Sequence, residues 1–297
     1  VADAVGADRV YLYAPASAIP AVRYALDERC GQRYDVRVVE APDTFVAGEE
    51  SAVISRLEGR PARPRDRVVT PAVSGFRGRP TVVNNVETLA HLALIARYGA
   101  AWFRSVGSGD APGTMLVTLS GAVRRPGVFE VPTGIRLTEV IGTCGGADPH
   151  RVQAVLVGGY HGTWLGPPAV AQADLSAGSL ARFGAAPGAG VIHVLGAGEC
   201  GLARTADIAA YLAGQNAGQC GPCVSGLPRL ASLLEQVAHG PVRPGLVDEI
   251  RRAAGLVEGR GSCRHPDGTA RLVRSALETF AGDIDAHRAG RCEAERR

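Results

Sequence analysis

The sequence predicts a composite fold: an α/β unit, then a small α+β unit, then an all-α unit. Three observations predict it. Strand, helix and strand patterns follow one another near the start of the chain. A β-prone texture with a turn signal begins near Pro112, and from about Arg204 apolar residues recur at helical spacing. A chain of 297 residues is long enough to bury two or three such domains.

The first strand is Val10-Tyr-Leu-Tyr13, the helical pattern runs from Ala21 to Leu26, and Val36 to Val39 is the second strand. That order makes a βαβ unit, the building block of parallel sheets. Glu49 to Leu57 reads as a helix, and the Arg/Pro-rich stretch from Pro61 to Pro71 has no regular structure. Val86 to Tyr98 is an amphipathic helix. In the second unit, Met115 to Ser120 and Val128 to Val131 flank the turn Arg125-Pro126-Gly127. A short helix from Leu137 to Ile141 precedes Gly145-Gly146, and Ala154 to Val157 is a further strand. In the third unit, Leu227, Leu230, Leu233, Leu234 and Val237 share one helical face. Val247, Ile250 and Ala254 share another, as do Leu272, Ala276, Leu277 and Phe280; three or four such helices make a bundle. The boundaries fall at 1–110, 111–200 and 201–290. The tail 291–297 is polar, and the chain beyond His287 reads as frayed.

Composition narrows the function. The chain is 46% hydrophobic and 21% charged, an ordinary soluble balance. No apolar run approaches the roughly 20 residues of a membrane span, and no signal peptide opens the chain. All 32 basic residues are Arg, and a net charge of +3 with interspersed signs leaves no nucleic-acid footprint. Seven scattered cysteines, an odd number in a long chain, favour a cytosolic metal or redox site over a disulfide scaffold. The chain opens on Val1, and its one Met is Met115, so an alternative start or a fragment is expected.

The chemistry-bearing stretch is Gly218-Gln-Cys220-Gly-Pro-Cys223, joined about forty residues later by Gly-Ser-Cys263. Soft thiolates at C-x₂-C spacing suit an iron–sulfur cluster. The same string is that of thioredoxin-like dithiols, but here it follows the helical pattern Ile208 to Leu212 instead of a strand. Two incidental thiols at a helix cap are the third reading. Ala217 stands three positions before Cys220, where a four-thiolate cluster wants a cysteine. Phe45-Val-Ala-Gly48-Glu49-Glu50 joins a strand end to a helix start: its acids either cap the helix or face a cofactor. Val83-Asn84-Asn85-Val-Glu-Thr88 opens the next helix and serves either as an N-cap or as an anion contact. Gly158-Gly159-Tyr160-His161-Gly162 reads as a turn between strands. His193 and His239 lack metal spacing, and His265 is the histidine placed to substitute for a thiolate. Cys30, Cys144 and Cys292 read as structural or incidental, and Cys200 reaches a cluster only if the fold brings it there.

Taken together, GEESAVISRLEGRPARPR (48–65), PAVSGFRGRPTVVNNVETL (71–89), GAAWFR (99–104), PGTMLVTLSGAVRRPGVFEVPTG (112–134), GQCGPCVSG (218–226) and EGRGSC (258–263) resemble one family. It is the flavin-carrying 51 kDa subunit of NADH-quinone oxidoreductase (respiratory complex I), with its hydrogenase and formate-dehydrogenase relatives. The resemblance implies a partial FMN- and NADH-binding α/β domain, a β-grasp-like soluble ligand-binding domain and a helical bundle holding a 4Fe–4S cluster. It implies hydride transfer from NADH to FMN and electron transfer to the cluster, within a complex of NADH dehydrogenase type. Such a subunit is cytoplasmic, held at the inner face of the membrane through partner subunits. The resemblance carries Phe45, Glu49, Glu50, Val83, Asn84, Asn85 and Thr88 to the flavin side and Cys220, Cys223 and Cys263 to three of the four cluster ligands. It places the family's Gly-rich phosphate loop upstream of Val10, so the chain reads as N-terminally truncated. The family's E-S-C-G-x-C-x-P-C-R-x-G runs here from Gln215 to Gly226, with Ala217 for the first cysteine and Val224 for the arginine. Asn216, His265, Cys200 or water then stands at the fourth iron. Two readings follow: an electron-transfer subunit with a modified cluster, or a non-catalytic relative in which the same domains are an interaction module.

Overall fold

The computed structural model describes residues 1–29, 34–66, 69–240, 242–292 and 294. Cys30 lies outside the described residues. The chain divides into two compact units, Val1–Ala93 with Gln215–Gln219, and Leu94–Gly214 with Cys220–Arg297.

The first unit is built on the expected βαβ arrangement. Strand β1 (Arg9–Pro15) pairs in parallel with β2 (Asp35–Ala41), and helix α1 (Ile19–Asp27) makes the crossover. The β-branched and aromatic residues Val10, Tyr11 and Tyr13 suit the pleat, and Pro20 at the first turn of α1 loses no needed N–H. A 3-10 turn, Phe45–Gly48, buries Val46 and Ala47. Helix α2 (Glu50–Leu57) follows at once. The Arg/Pro-rich stretch is irregular and is tied down by Glu58. Its carboxylate takes Arg65 at 2.6 Å and the backbone N–H of Arg77 at 2.6 Å, and also pairs with Arg60. Helix α3 (Val86–Phe103) breaks at Gly99, whose φ of 85° is left-handed. The expected end at Tyr98 is therefore a real interruption, and the division between the units falls inside this helix.

In the second unit, β3 (Thr114–Gly121) and β4 (Gly127–Pro132) form the expected antiparallel hairpin. With β5 (Val152–Val157), β6 (Thr163–Leu165) and β7 (Val191–Gly196) they make a five-stranded sheet in the order β4-β3-β7-β5-β6. The pair β3–β7 is parallel, and β7–β5 and β5–β6 are antiparallel. The Gly158–Gly162 stretch is the turn joining β5 to β6. After the sheet come α4 (Gly201–Gly214), α5 (Leu227–His239), α6 (Leu246–Val257), α7 (His265–Thr279) and α8 (Ala281–Arg288).

The sheet is apolar on both faces because it is covered on both. Along β5, Val155 and Val157 enter one core with Val117, Leu119, Leu137, Ile141, Ile192 and Val194. The alternating Ala154 and Leu156 enter the other core, with Trp164, Leu195 and the leucines of α4 and α5. This is the period-two alternation of a strand, and it makes the sheet and the helices one body. The three apolar stripes read from the sequence all point into that core: Leu227, Leu230, Leu233, Leu234 and Val237 are at most 1% exposed.

Of the tail expected to fray, residues 293 and 295–297 lie outside the described residues. Helix α8 ends at Arg288; beyond it Gly290, with a φ of 66°, supplies a left-handed turn, and the Arg291 N–H returns to the Ala286 carbonyl at 3.0 Å. Cys292 is thereby held half-buried. Among the described residues no helix is long and apolar enough to cross a membrane.

Candidate functional site

In the first unit, the turn Phe45–Gly48 is fixed from below. Val46 and Ala47 are 8% and 2% exposed, and the Tyr13 hydroxyl donates to the Ala47 carbonyl at 3.1 Å. Burial raises the Tyr13 phenol above its ordinary pKa, with Arg56 opposing, so the hydroxyl stays a donor. The ring of Phe45 is left outward, 37% exposed. Glu49 is an N-cap: one carboxylate oxygen accepts from the N–H of Ser51 at 2.9 Å and of Ala52 at 3.1 Å. The capping alternative thus holds for Glu49, while Glu50 sits half-buried in the first turn of α2. Asn85 behaves likewise, its amide oxygen accepting from the Thr88 N–H at 2.7 Å. Asn84 and Thr88 are exposed and Val83 is half-buried.

The strip Gln215–Gln219 belongs to this first unit. The Phe45 N–H donates to Gln215 Oε1 at 3.0 Å, and Gln219 Nε2 donates to the Pro64 carbonyl at 2.7 Å. Asn216 closes a local turn by accepting from the Gly218 N–H at 2.7 Å. Ala217 therefore sits in a strip pinned at both ends, with a methyl group that offers no lone pair.

In the second unit, Cys220 is half-buried just before a π-helical turn, Pro222–Gly226, that runs into α5. Cys223 lies within that turn, 2% exposed. Cys263 is 7% exposed, two residues ahead of α7. All three thiols thus sit at or beside helix N-termini. Their sulfurs are not mutually within 4.8 Å, so they do not form the shell of a single ion. A polynuclear cluster spreads its thiolates over separate irons, and three cysteines are the donor type it takes. Two substitutes for the missing ligand are corrected. His265 is 3% exposed and uses both ring nitrogens, Nε2 toward the Leu212 carbonyl at 2.9 Å and Nδ1 toward His161 at 3.0 Å. Cys200 groups instead with His287 and Cys292, the one set of three metal-type ligand atoms within 4.8 Å of one another among the described residues. Cys292, read as structural or incidental, lies in the same grouping. Nothing in the sequence signalled it, because Cys200 and His287 lie 87 residues apart.

Three family models match in chain order. They are the Nuo51 FMN-binding domain over residues 1–94, the SLBB domain over 116–155 and the NADH-ubiquinone oxidoreductase-F iron-sulfur binding region over 200–287. The matched models define a protein class with an FMN-binding domain followed by an iron-sulfur binding region. The chain belongs to the family of the flavin-carrying 51 kDa subunit of NADH-quinone oxidoreductase. It is 32% identical over 307 residues to the second F-type subunit of NADH-quinone oxidoreductase in Rhizobium meliloti (strain 1021), covering 96% of this chain and 72% of the relative. It is 30% identical over 305 residues to NADP-reducing hydrogenase subunit HndC of Solidesulfovibrio fructosivorans, covering 96% and 61%. A crystal structure of NAD+-reducing NiFe hydrogenase in the H2-reduced state superposes with a TM-score of 0.85 at 32% identity, over 96% of this chain and 50% of that one. The chain thus spans between half and about three quarters of the length of these relatives.

Proposed function

We propose that this chain works as the electron-transfer subunit of an NADH dehydrogenase-like complex, accepting hydride at FMN and passing electrons to a cluster held by Cys220, Cys223 and Cys263. FMN supplies the conversion of a two-electron hydride into single electrons. The chain's own residues position and tune it: the outward ring of Phe45 and the acid of Glu50 line its face. Val83, Asn84 and the Asn85–Thr88 cap present the start of α3 to it, and Glu49 holds the wall by capping α2. The flavin part is 1–110, the β-grasp-like part 111–200 and the cluster part 201–290, followed by the tail 291–297. Partners are other subunits of the complex, and the exposed Leu92, Leu94, Tyr98 and Trp102 of α3 offer apolar surface for them. The complex sits in the cytoplasm, at the inner face of the membrane through those partners.

The observation that carries this reading is the placement of three cysteines at two helix starts, in a matched iron-sulfur binding region. With Ala217 in the fourth position, water completes the cluster, which shortens its lifetime in air and shifts its potential. The test is anaerobic purification with assay of iron, acid-labile sulfide and the visible charge-transfer absorbance. Stoichiometric iron and sulfide are expected, falling together in Cys223→Ser, and Ala217→Cys is expected to prolong the cluster's survival in air. A wild-type chain that stays colourless and iron-free after reconstitution with ferrous iron and sulfide would overturn the proposal and leave the interaction module.

A further inference from the structure

We propose that Cys200, His287 and Cys292 form a second metal site, separate from the cluster cysteines, for a borderline-soft divalent cation of the zinc type. The sulfur of Cys200 lies 3.7 Å from Nε2 of His287, and the sulfur of Cys292 is within 4.8 Å of both. Bond lengths of about 2.3 Å to sulfur and about 2.0 Å to nitrogen, at a tetrahedral angle, put a thiolate and an imidazole nitrogen about 3.5 Å apart. The observed pair is already close to that separation.

The surroundings of each ligand support the same assignment. Nδ1 of His287 lies 2.9 Å from the carbonyl of Val237. A carbonyl only accepts, so Nδ1 carries the proton and Nε2 presents its lone pair toward Cys200. Such a second partner, fixing tautomer and ring orientation, is what metal-bound histidines carry. Cys200 immediately precedes α4, and its sulfur accepts from the Ala203 N–H at 3.5 Å. Cys292 is delivered by the left-handed Gly290 and the Arg291-to-Ala286 hydrogen bond, so its place follows from the end of α8.

Two thiolates and one neutral imidazole suit zinc, with water in the fourth position. Binding displaces the two thiol protons to solvent and involves no electron transfer. Cys200 and His287 are also the two ends of the matched iron-sulfur binding region, residues 200–287. The ion would clip together the ends of the segment that carries the cluster cysteines.

The experiment uses the full chain, purified anaerobically from zinc-supplemented cells, with zinc, iron and acid-labile sulfide measured on each preparation. The wild type is expected to hold one zinc per chain more than Cys292→Ser, with iron and sulfide equal in the two. His287→Gln is expected to weaken zinc binding by about a hundredfold or more, beyond the usual loss from removing a second-shell partner. Cobalt exchanged into the wild type should give the intense red-region bands of tetrahedral coordination with a thiolate charge-transfer band, both lost in Cys292→Ser. Far-UV circular dichroism shows that each variant is folded, and His287→Gln serves if Cys292→Ser is not. Equal zinc and the same cobalt spectrum in wild type and variants would overturn the proposal. So would peptide mapping that finds Cys200 and Cys292 joined as a disulfide in the anaerobic protein.

Discussion

Acidification from pH 6.5 to about 4 is expected to remove about 3 kcal/mol of folding stability through His161 alone. Burial, then the neighbouring His265 and Arg271, push the His161 pKa down from 6.5 to about 4. In that window the unfolded chain binds a proton that the folded chain refuses. Stability is therefore full above about pH 6.5, falls as the pH drops and levels off once the folded state also protonates. The geometry explains the resistance. Nε2 of His265 faces the Leu212 carbonyl, so it carries the proton and His265 Nδ1 accepts from His161 Nε2 at 3.0 Å. This chain of two neutral rings joins the turn before β6 to α7 and satisfies both. Gly268 admits the His161 ring, since a Cβ there would meet His161 Cγ at 2.3 Å. A charge on His161 would stand beside Arg271, whose guanidinium donates to the His161 carbonyl at 3.2 Å. Urea midpoints measured from pH 7.5 to 4 check this, with His161→Gln as comparison. The variant is expected to show a flatter profile, and equal slopes in both proteins would remove His161 as the cause.

Much of this architecture was legible because local rules and tertiary packing agree in it. The leucine stripes of α5 and α7 and the βαβ start are strong periodic signals. The Gly158–Gly162 turn was readable because no helical pattern follows it. Strand β7 was not anticipated, and β6 only as the unplaced strand after the Gly158–Gly162 turn. Thr163–Leu165 is too short to show a period, and Val191–Gly196 sits among small residues with apolar side chains on both faces. Of the candidate site, the Asn85 and Glu49 caps were readable as local motifs, and the three cysteines proposed as cluster ligands stand out by their spacing. Neither the closed hydrogen bonding of His265 nor the Cys200–His287–Cys292 set could be read, because both depend on which helix ends the fold brings together. His265 is two residues from Cys263 in sequence, yet its ring turns to Leu212 and His161. Cys292 is far from Cys200 in sequence and beside it in space.

Trp164→Ala is expected to cost about 3–5 kcal/mol, and Trp164→Phe below about 1.5 kcal/mol. Trp164 is carried on β6 but belongs to the helical core, at 2% exposure. Its ring meets Phe280 edge-on at 5.3 Å. Its backbone N–H donates to the Ser275 hydroxyl at 3.0 Å, and its carbonyl accepts from the Thr279 hydroxyl at 3.1 Å, so the strand is laced to α7 along its length. Removing the ring opens a cavity between the sheet and the helix that starts two residues after Cys263. The indole Nε1 has no hydrogen-bond partner among the described residues, and leaving such a donor buried costs about 1–3 kcal/mol. Phenylalanine fills most of the same volume and removes that donor, so loss of packing and relief of the orphaned N–H oppose each other. Urea unfolding of the two variants separates these effects. A loss below about 1 kcal/mol in Trp164→Ala, far under the usual cost of such a truncation, would show that the strand and α7 are not coupled through this ring. Iron retention measured on the same samples gives the functional side. If the sheet braces the cluster-bearing helices through Trp164, Trp164→Ala releases iron faster than the wild type while Trp164→Phe does not.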